Sequence, residues 1–234
     1  MKTTTHTPVI TEPTCKYCNK HFRKESSLAV HMCEKKRRWK QEKDTGVQLG
    51  LRAYLRFYET TQGNAKLKNY GDFVESPYYS SFVKFGQYLV QIRAINISAF
   101  IDWIISQNKK LDSWTNDSHY GAYIYEYTRK ENPMDALERS VNEIQRWATE
   151  SKLEFTSFFR EGSPYKICAM IANGRISPWV IYSCDSGIDF LASLNTEQLA
   201  LIYKFIDPVF WQGKLSTYTS DSEFIKSVLS QASI

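Results

Sequence analysis

Residues 15–33 read CKYCNKHFRKESSLAVHMC, from Cys15 to Cys33. Three of the chain's five cysteines, Cys15, Cys18 and Cys33, fall here together with His21 and His31. An odd cysteine count argues against a disulfide scaffold. The spacing has a mechanical reading. Two cysteines across a tight knuckle at the mouth of a hairpin present both thiolates to one ion, and His31 reaches back from the third turn of a following helix. Phe22 and Leu28 supply the apolar plug between hairpin and helix. So short a segment cannot fold on buried surface alone, so bound metal would provide most of its folding energy. Zn2+ is the expected ion, because thiolate and imidazole ligands at tetrahedral spacing suit it.

The fourth ligand is the open point. Residues 34–36 are Glu34, Lys35 and Lys36, and the nearest candidate is Cys33. Two residues apart on an ideal helix differ by about 200° in direction, so His31 and Cys33 face one ion only if the helix is unwound or tightened around Met32. The expected set is Cys15, Cys18, His31 and Cys33, with His21, His6 or a water as alternatives to Cys33.

Immediately beyond lies Lys35-Lys36-Arg37-Arg38-Trp39-Lys40. Residues 1–43 hold eleven Lys and Arg against four Glu, a net +7, so with a whole-chain charge of +5 the remainder carries −2. A basic arm on a near-neutral body suits a polyanion, because clustered cations gain by releasing counterions from phosphates. The run is expected to continue the helix and to meet phosphates rather than bases. Trp39 is expected to pack on the neighbouring domain rather than to stack on a base.

Residues 13–40 resemble the Cys-Cys-His-His zinc-finger family in both cysteines, the first histidine and both plug residues; they depart from it in the His-x-Cys end. The resemblance implies a ββα finger whose base-facing positions are Lys24, Ser26, Ser27 and Val30. Lys24 suits a guanine edge, the serines are permissive and Val30 offers no hydrogen bond. One finger spans about three base pairs, so weak, salt-sensitive and largely sequence-independent binding is expected. A broader resemblance covers nearly the whole chain. Leu28–Arg38, residues 47–51 (VQLGL) and residues 174–180 (GRISPWV) look like a family of zinc-finger proteins encoded by large tailed bacteriophages. It implies that His-x-Cys is a family feature, and it implies the cytoplasm of an infected bacterium as the setting, but no activity.

From Gly46 onward apolar residues recur at helical spacing. Helices are expected from Val47 to near Gln62-Gly63, over 78–93 after Pro77, after a Ser98 cap, over 120–130, from Pro133, from Pro164 to Met170, from Asn195 to Ile206, after Pro208 and over 220–232. Residues 180–182 form the one β-looking run. The expected fold is therefore mainly α, a small N-terminal ββα finger before an all-helical body. Its expected division is a flexible N-terminus at 1–12, a finger with basic helix at 13–43, and a body at 44–234 with a joint near 151–162.

At 42% hydrophobic and 24% charged residues the chain can bury a sizeable core, which excludes wholesale disorder. No apolar run reaches the roughly 18–20 residues that span a bilayer, and residues 1–5 lack the apolar region of an export signal, so a soluble, unexported chain is expected. No phosphate-cradling Gly loop, His-Glu-x-x-His or nucleophile elbow is present. His119 beside Asp117 reads as a helix-start histidine. Ser183-Cys184-Asp185-Ser186-Gly187 reads as a helix cap supplied by Asp185 or Ser186. The tyrosines 120, 123, 125 and 127 read as part core and part interaction surface.

The function expected from these residues is a non-catalytic, zinc-dependent nucleic-acid-binding protein. Lys24, Ser26, Ser27, Lys35, Lys36, Arg37, Arg38 and Lys40 would contact nucleic acid, with duplex DNA as the expected polymer. The helical body would dock a protein of the replication, recombination or transcription machinery. No membrane or small-molecule partner is evident. The alternatives are a protein-interaction module in which the finger is only structural, and a metal-dependent nuclease using pairs such as Asp102 with Asp112 or Glu138 with Glu143.

Overall fold

The computed structural model describes residues 12–63 and 67–234. The N-terminus expected to be flexible, and His6 within it, fall almost wholly outside the described residues. The chain divides into two compact units, Met1–Gln91 and Ile92–Ile234, each mainly helical. The basic segment is part of the first unit, with no boundary of its own at residue 43.

Unit 1 contains α1 (Glu25–Val30), α2 (Glu34–Lys40), α3 (Thr45–Gln62), α4 (Tyr70–Glu75) and α5 (Tyr79–Gln91). Asp44 caps α3 by accepting the Val47 N–H at 3.1 Å, and Gly63, at φ 68°, ends it in a conformation that costs glycine little. The unit is organised by the pairing of α3 with α5. Gly46, Gly50 and Gly86 let the two backbones touch: a Cβ on Gly86 would lie 2.0 Å from the Gly46 carbonyl oxygen. Around this crossing Tyr54, Phe73, Tyr79 and Phe82 form one aromatic cluster, with centroid separations from 4.7 to 5.5 Å.

α2 is fastened to α4 through Arg38. Its Nη1 donates to the carbonyls of Val74 at 2.6 Å and Ser76 at 3.4 Å, its Nη2 meets Glu34, and its guanidinium lies 4.4 Å from the Tyr79 ring centroid. The Tyr70 hydroxyl donates to the Arg38 carbonyl at 2.6 Å, and Trp39 packs edge-on against Tyr70 at 5.1 Å. Losing the guanidinium takes the 2.6 Å donor from the Val74 carbonyl at the end of α4, while the Ser76 carbonyl keeps the Tyr79 N–H at 3.2 Å. Arg38→Ala is therefore expected to lower the stability of unit 1 by about 2 kcal/mol in urea unfolding.

Unit 2 contains α6 (Ile97–Ser106), α7 (Asp117–Lys130), α8 (Pro133–Ser151), α9 (Phe158–Glu161), α10 (Pro164–Ala172), α11 (Pro178–Ile181), α12 (Asp185–Ser193), α13 (Thr196–Ile206), α14 (Pro208–Thr217) and α15 (Thr219–Gln231). Four of these helices, α8, α10, α11 and α14, carry Pro in the first turn, where its missing N–H costs nothing. The core holds Trp114, Trp179, Trp211, Phe100, Phe158 and Ile124, all essentially fully buried. Two buried carboxylates are paired. Glu131 accepts from Arg139 at 2.6 Å and from Ser177 Oγ at 2.7 Å; Glu143 accepts from Arg175 at 3.0 Å and Arg146 at 2.9 Å.

Several local expectations change. The β-looking run at 180–182 enters helix α11, because Ser177 caps it, Pro178 starts it and Trp179, Val180 and Ile181 are all buried. A short apolar run fits a buried helix as well as a strand. α6 is capped by Asn96, in the left-handed region at φ 38°, rather than by Ser98. Cys184, not Asp185 or Ser186, occupies the N-cap of α12 and makes no side-chain cap bond there.

Candidate metal centre

The site begins with the Cys15–Cys18 knuckle. The Asn19 N–H donates to the Cys15 carbonyl at 2.8 Å, and the Cys15 N–H donates to the Lys20 carbonyl at 2.9 Å. Asn19 closes the turn at φ 56°, a left-handed conformation that Asn tolerates better than most residues. The Phe22 N–H donates to the Pro13 carbonyl at 2.8 Å. The expected β-hairpin is reduced to a single bridge between Thr14 and His21, and the described residues of this segment form no strand.

The helix is shorter than expected as well. α1 stops at Val30, so His31 is its C-cap residue and not part of a third turn. The basic run forms the separate helix α2, with Cys33 as its N-cap. This break resolves the geometric conflict in His-x-Cys. His31 has φ −65° and ψ 126°, and Cys33 has φ −79° and ψ 165°; both are extended. Side chains two apart on extended backbone point the same way, so His31 and Cys33 share a face while Met32, 50% exposed, turns out.

Cys15, Cys18, His31 and Cys33 converge, with one ligand atom from each and all four within 4.8 Å of one another. Cys15 Sγ lies 3.9 Å from Cys33 Sγ, and Cys18 Sγ lies 3.3 Å from His31 Nε2. A tetrahedral zinc ion with Zn–S near 2.3 Å and Zn–N near 2.05 Å separates its ligands by about 3.8 Å for S–S and about 3.6 Å for S–N. The Cys15–Cys33 separation of 3.9 Å lies close to the first value and the Cys18–His31 separation of 3.3 Å slightly inside the second. The cluster can hold a metal ion, and a Cys3His donor set suits zinc.

The thiols are free, and the two knuckle cysteines are shifted in opposite directions. Burial works against ionising Cys15, yet the backbone N–H groups of Tyr17 and Cys18 and the neighbouring thiols outweigh it, so its pKa is lowered. At Cys18 the Lys20 N–H favours the thiolate, but burial and the two other sulfurs prevail and raise its pKa. The Lys36 N–H donates to Cys33 Sγ at 3.4 Å. Phe22 stands 4.8 Å from the His31 ring and backs it. His21, the alternative ligand, is turned to Thr14, with Nδ1 at 2.9 Å from its hydroxyl, and stays out of the cluster. The other two cysteines, Cys168 and Cys184, are buried in unit 2.

The residues expected at nucleic acid divide into two groups. Lys24, Ser26 and Ser27 are exposed at the start of α1, and Val30 is 82% exposed. Arg37 and Lys40 are exposed on α2 and enter no ion pair among the described residues. Arg38 is committed to α4, Lys35 pairs with Glu75 at 2.5 Å, and Lys36 Nζ donates to the His31 carbonyl at 2.9 Å. Sequence reasoning missed the clamp made by Arg38, whose partners lie 36 and 38 positions away.

No second cluster of three or more His, Cys, Asp or Glu at metal-binding distance occurs among the described residues. His119 sits in the first turn of α7 as expected. Glu143 is engaged by Arg146 and Arg175. No described helix is long and apolar enough to cross a membrane.

Fold and site together define a mainly helical chain with an N-terminal Cys3His cluster of zinc-finger type. No protein-family model matches the chain, and neither does any curated protein or solved structure.

Proposed function

We propose that the chain is a zinc-dependent nucleic-acid-binding protein without catalysis. The observation that carries this reading is the convergence of Cys15, Cys18, His31 and Cys33 directly before a basic helix. α1 contains no buried residue, so little besides a metal holds the knuckle and α1 in shape. Lys16, Lys20, Arg23, Lys24, Arg37 and Lys40 are the exposed cations of residues 12–40. They present charge without a base-reading helix of finger length, which favours phosphate contacts on duplex DNA. The broader sequence resemblance supports a phage-encoded protein acting in the host cytoplasm. There unit 2 would dock a protein of the replication, recombination or transcription machinery.

The test is duplex binding by fluorescence anisotropy over a salt series. Affinity is expected to fall as salt rises, and Arg37→Ala with Lys40→Ala is expected to reduce the slope of log K against log salt by about two. Arg38→Ala should act on stability instead. Val30 and Met32, exposed apolar side chains beside the site, favour the second reading, a finger that binds protein. Duplex binding insensitive to both salt and the double substitution would replace the first reading with the second.

A further inference from the structure

Unit 2 contains a cleft of about 960 Å³ between the end of α7, the start of α8 and α14, a volume in the range of small-molecule sites. Three cations line it: Arg129, Lys130 and Lys214. Two of them are held by rings. Arg129 has its guanidinium 4.2 Å from the Tyr125 centroid and 3.9 Å from that of Phe210. Lys214 lies 5.2 Å from Trp179 and 5.3 Å from Trp211, and its ammonium donates to the Arg129 carbonyl.

Charge in the cleft is only partly answered. Lys214 has no carboxylate at ion-pair distance among the described residues, and Arg129 has only Asp207, 3.7 Å away. Arg129 Nε is buried without a hydrogen-bond partner, as is Nε1 of Trp179, which also lines the cleft. Burial depresses the Lys214 ammonium, Glu131 partly restores it, and Arg129 depresses it further. Glu131 is the one acid of the lining, and it is engaged on its other side by Arg139 and Ser177. Placing two cations together in a partly dry cleft costs stability, which an anion between them offsets. Apart from Asn132 and Thr217, the rest of the wall is largely apolar and open. Val209 is 80% exposed, and Tyr218, 51% exposed, offers a ring for stacking.

We propose that this cleft binds a nucleoside phosphate, with the phosphate on Arg129 and Lys214, Lys130 at the rim, and the base against Tyr218 and Val209. The site is independent of the metal centre. The ligand is either a free nucleotide or the phosphorylated 5′ end of a strand, since both present the same group.

The experiment is titration of the full, zinc-loaded chain with AMP, followed by the fluorescence of its tryptophans. Saturable binding is expected, with adenosine and inorganic phosphate each at least tenfold weaker. Lys214→Met, which keeps the stem between the two indoles, should weaken AMP at least tenfold. Lys130→Gln, on the exposed rim, should weaken it about fivefold. A 5′-phosphorylated oligonucleotide that outcompetes AMP identifies the strand end as the source; one that does not leaves the free nucleotide. Absence of saturation at millimolar AMP, wild-type affinity in both variants, or adenosine or phosphate equalling AMP would overturn the assignment.

Discussion

Removal of the metal is expected to melt residues 12–33 and to leave the α3–α5 pair standing. The knuckle and α1 have almost no core of their own: Cys15 is buried, but no residue of α1 is. Structural zinc in segments of this size contributes roughly 10–16 kcal/mol of apparent binding energy, which is then the folding energy of the segment. Beyond Cys33 the chain has other support. Arg38 is tied to Val74 and Ser76, and Tyr70 to the Arg38 carbonyl, so α2 should fray at its start and stay docked on α4. Amide exchange with and without a chelator reads this directly. The N–H groups of Asn19, Phe22 and His31 should lose protection, while those of α3 and α5 keep it. Elemental analysis should find one zinc per chain. Cys15→Ser and His31→Ala should abolish stoichiometric binding. Cys33→Ser should weaken it about 100-fold, near 2.7 kcal/mol, because water can take the fourth position. His21→Ala should change nothing. Protection of Phe22 that survives in the metal-free chain would refute a metal-organised segment, and loss of α3 and α5 together with it would refute the separation.

The ligand set is legible in the sequence because its chemistry is local. Cys15, Cys18, His31 and Cys33 fall within 19 residues, and the absence of a ligand at 34–36 already points to a helix broken around Met32. What the residues do not announce is where the break leads. A helix that stops at Val30 and restarts at Glu34 turns one long basic helix into two short ones, and the second is placed by tertiary contacts. Arg38 looks in sequence like any other member of a cationic run, yet its partners are carbonyls of α4. Lone charges in such a run are told apart only by what folds against them. Some helices of unit 2 are readable from the Asn or Pro that opens them, as at Asn132-Pro133 and Asn195. The pattern misleads at Val180–Ile181, where branched residues fill a fully buried helix. The cleft is invisible in sequence, because Arg129, Trp179 and Lys214 are 85 positions apart end to end and are joined only by packing.

The largest effect outside the metal site is expected at Gly86. Helices normally keep their axes 8–10 Å apart because side chains stand between them; at the α3–α5 crossing Gly46 and Gly50, one turn apart on α3, face Gly86 on α5. A methyl group at Gly86 would sit 2.0 Å from the Gly46 carbonyl oxygen and 2.5 Å from the Gly50 nitrogen. Both obstacles are backbone, so no side-chain rotation relieves them and the helices must separate. Separation loosens the cluster of Tyr54, Phe73 and Phe82 that the crossing holds together. Overpacking of a tight core costs typically 1–3 kcal/mol, and with backbone on both sides Gly86→Ala should reach the upper end, about 3 kcal/mol, with Gly86→Val exceeding it. The alternative is that Gly86 is merely a poor helix former. In that case alanine would stabilise α5 by up to about 1 kcal/mol, as helix propensity alone dictates. Gly213 provides the internal control, being helical and facing open space, so that a Cβ added there would meet nothing within 4 Å. Gly213→Ala should therefore stabilise unit 2 by a fraction of 1 kcal/mol. Amide exchange along α5 and α14 measures both changes in one experiment. Opposite signs at the two glycines are the expected result; a Gly86→Ala chain as stable as the parent would mean that the two helices can part without loss, and that the backbone contact does not hold unit 1 together.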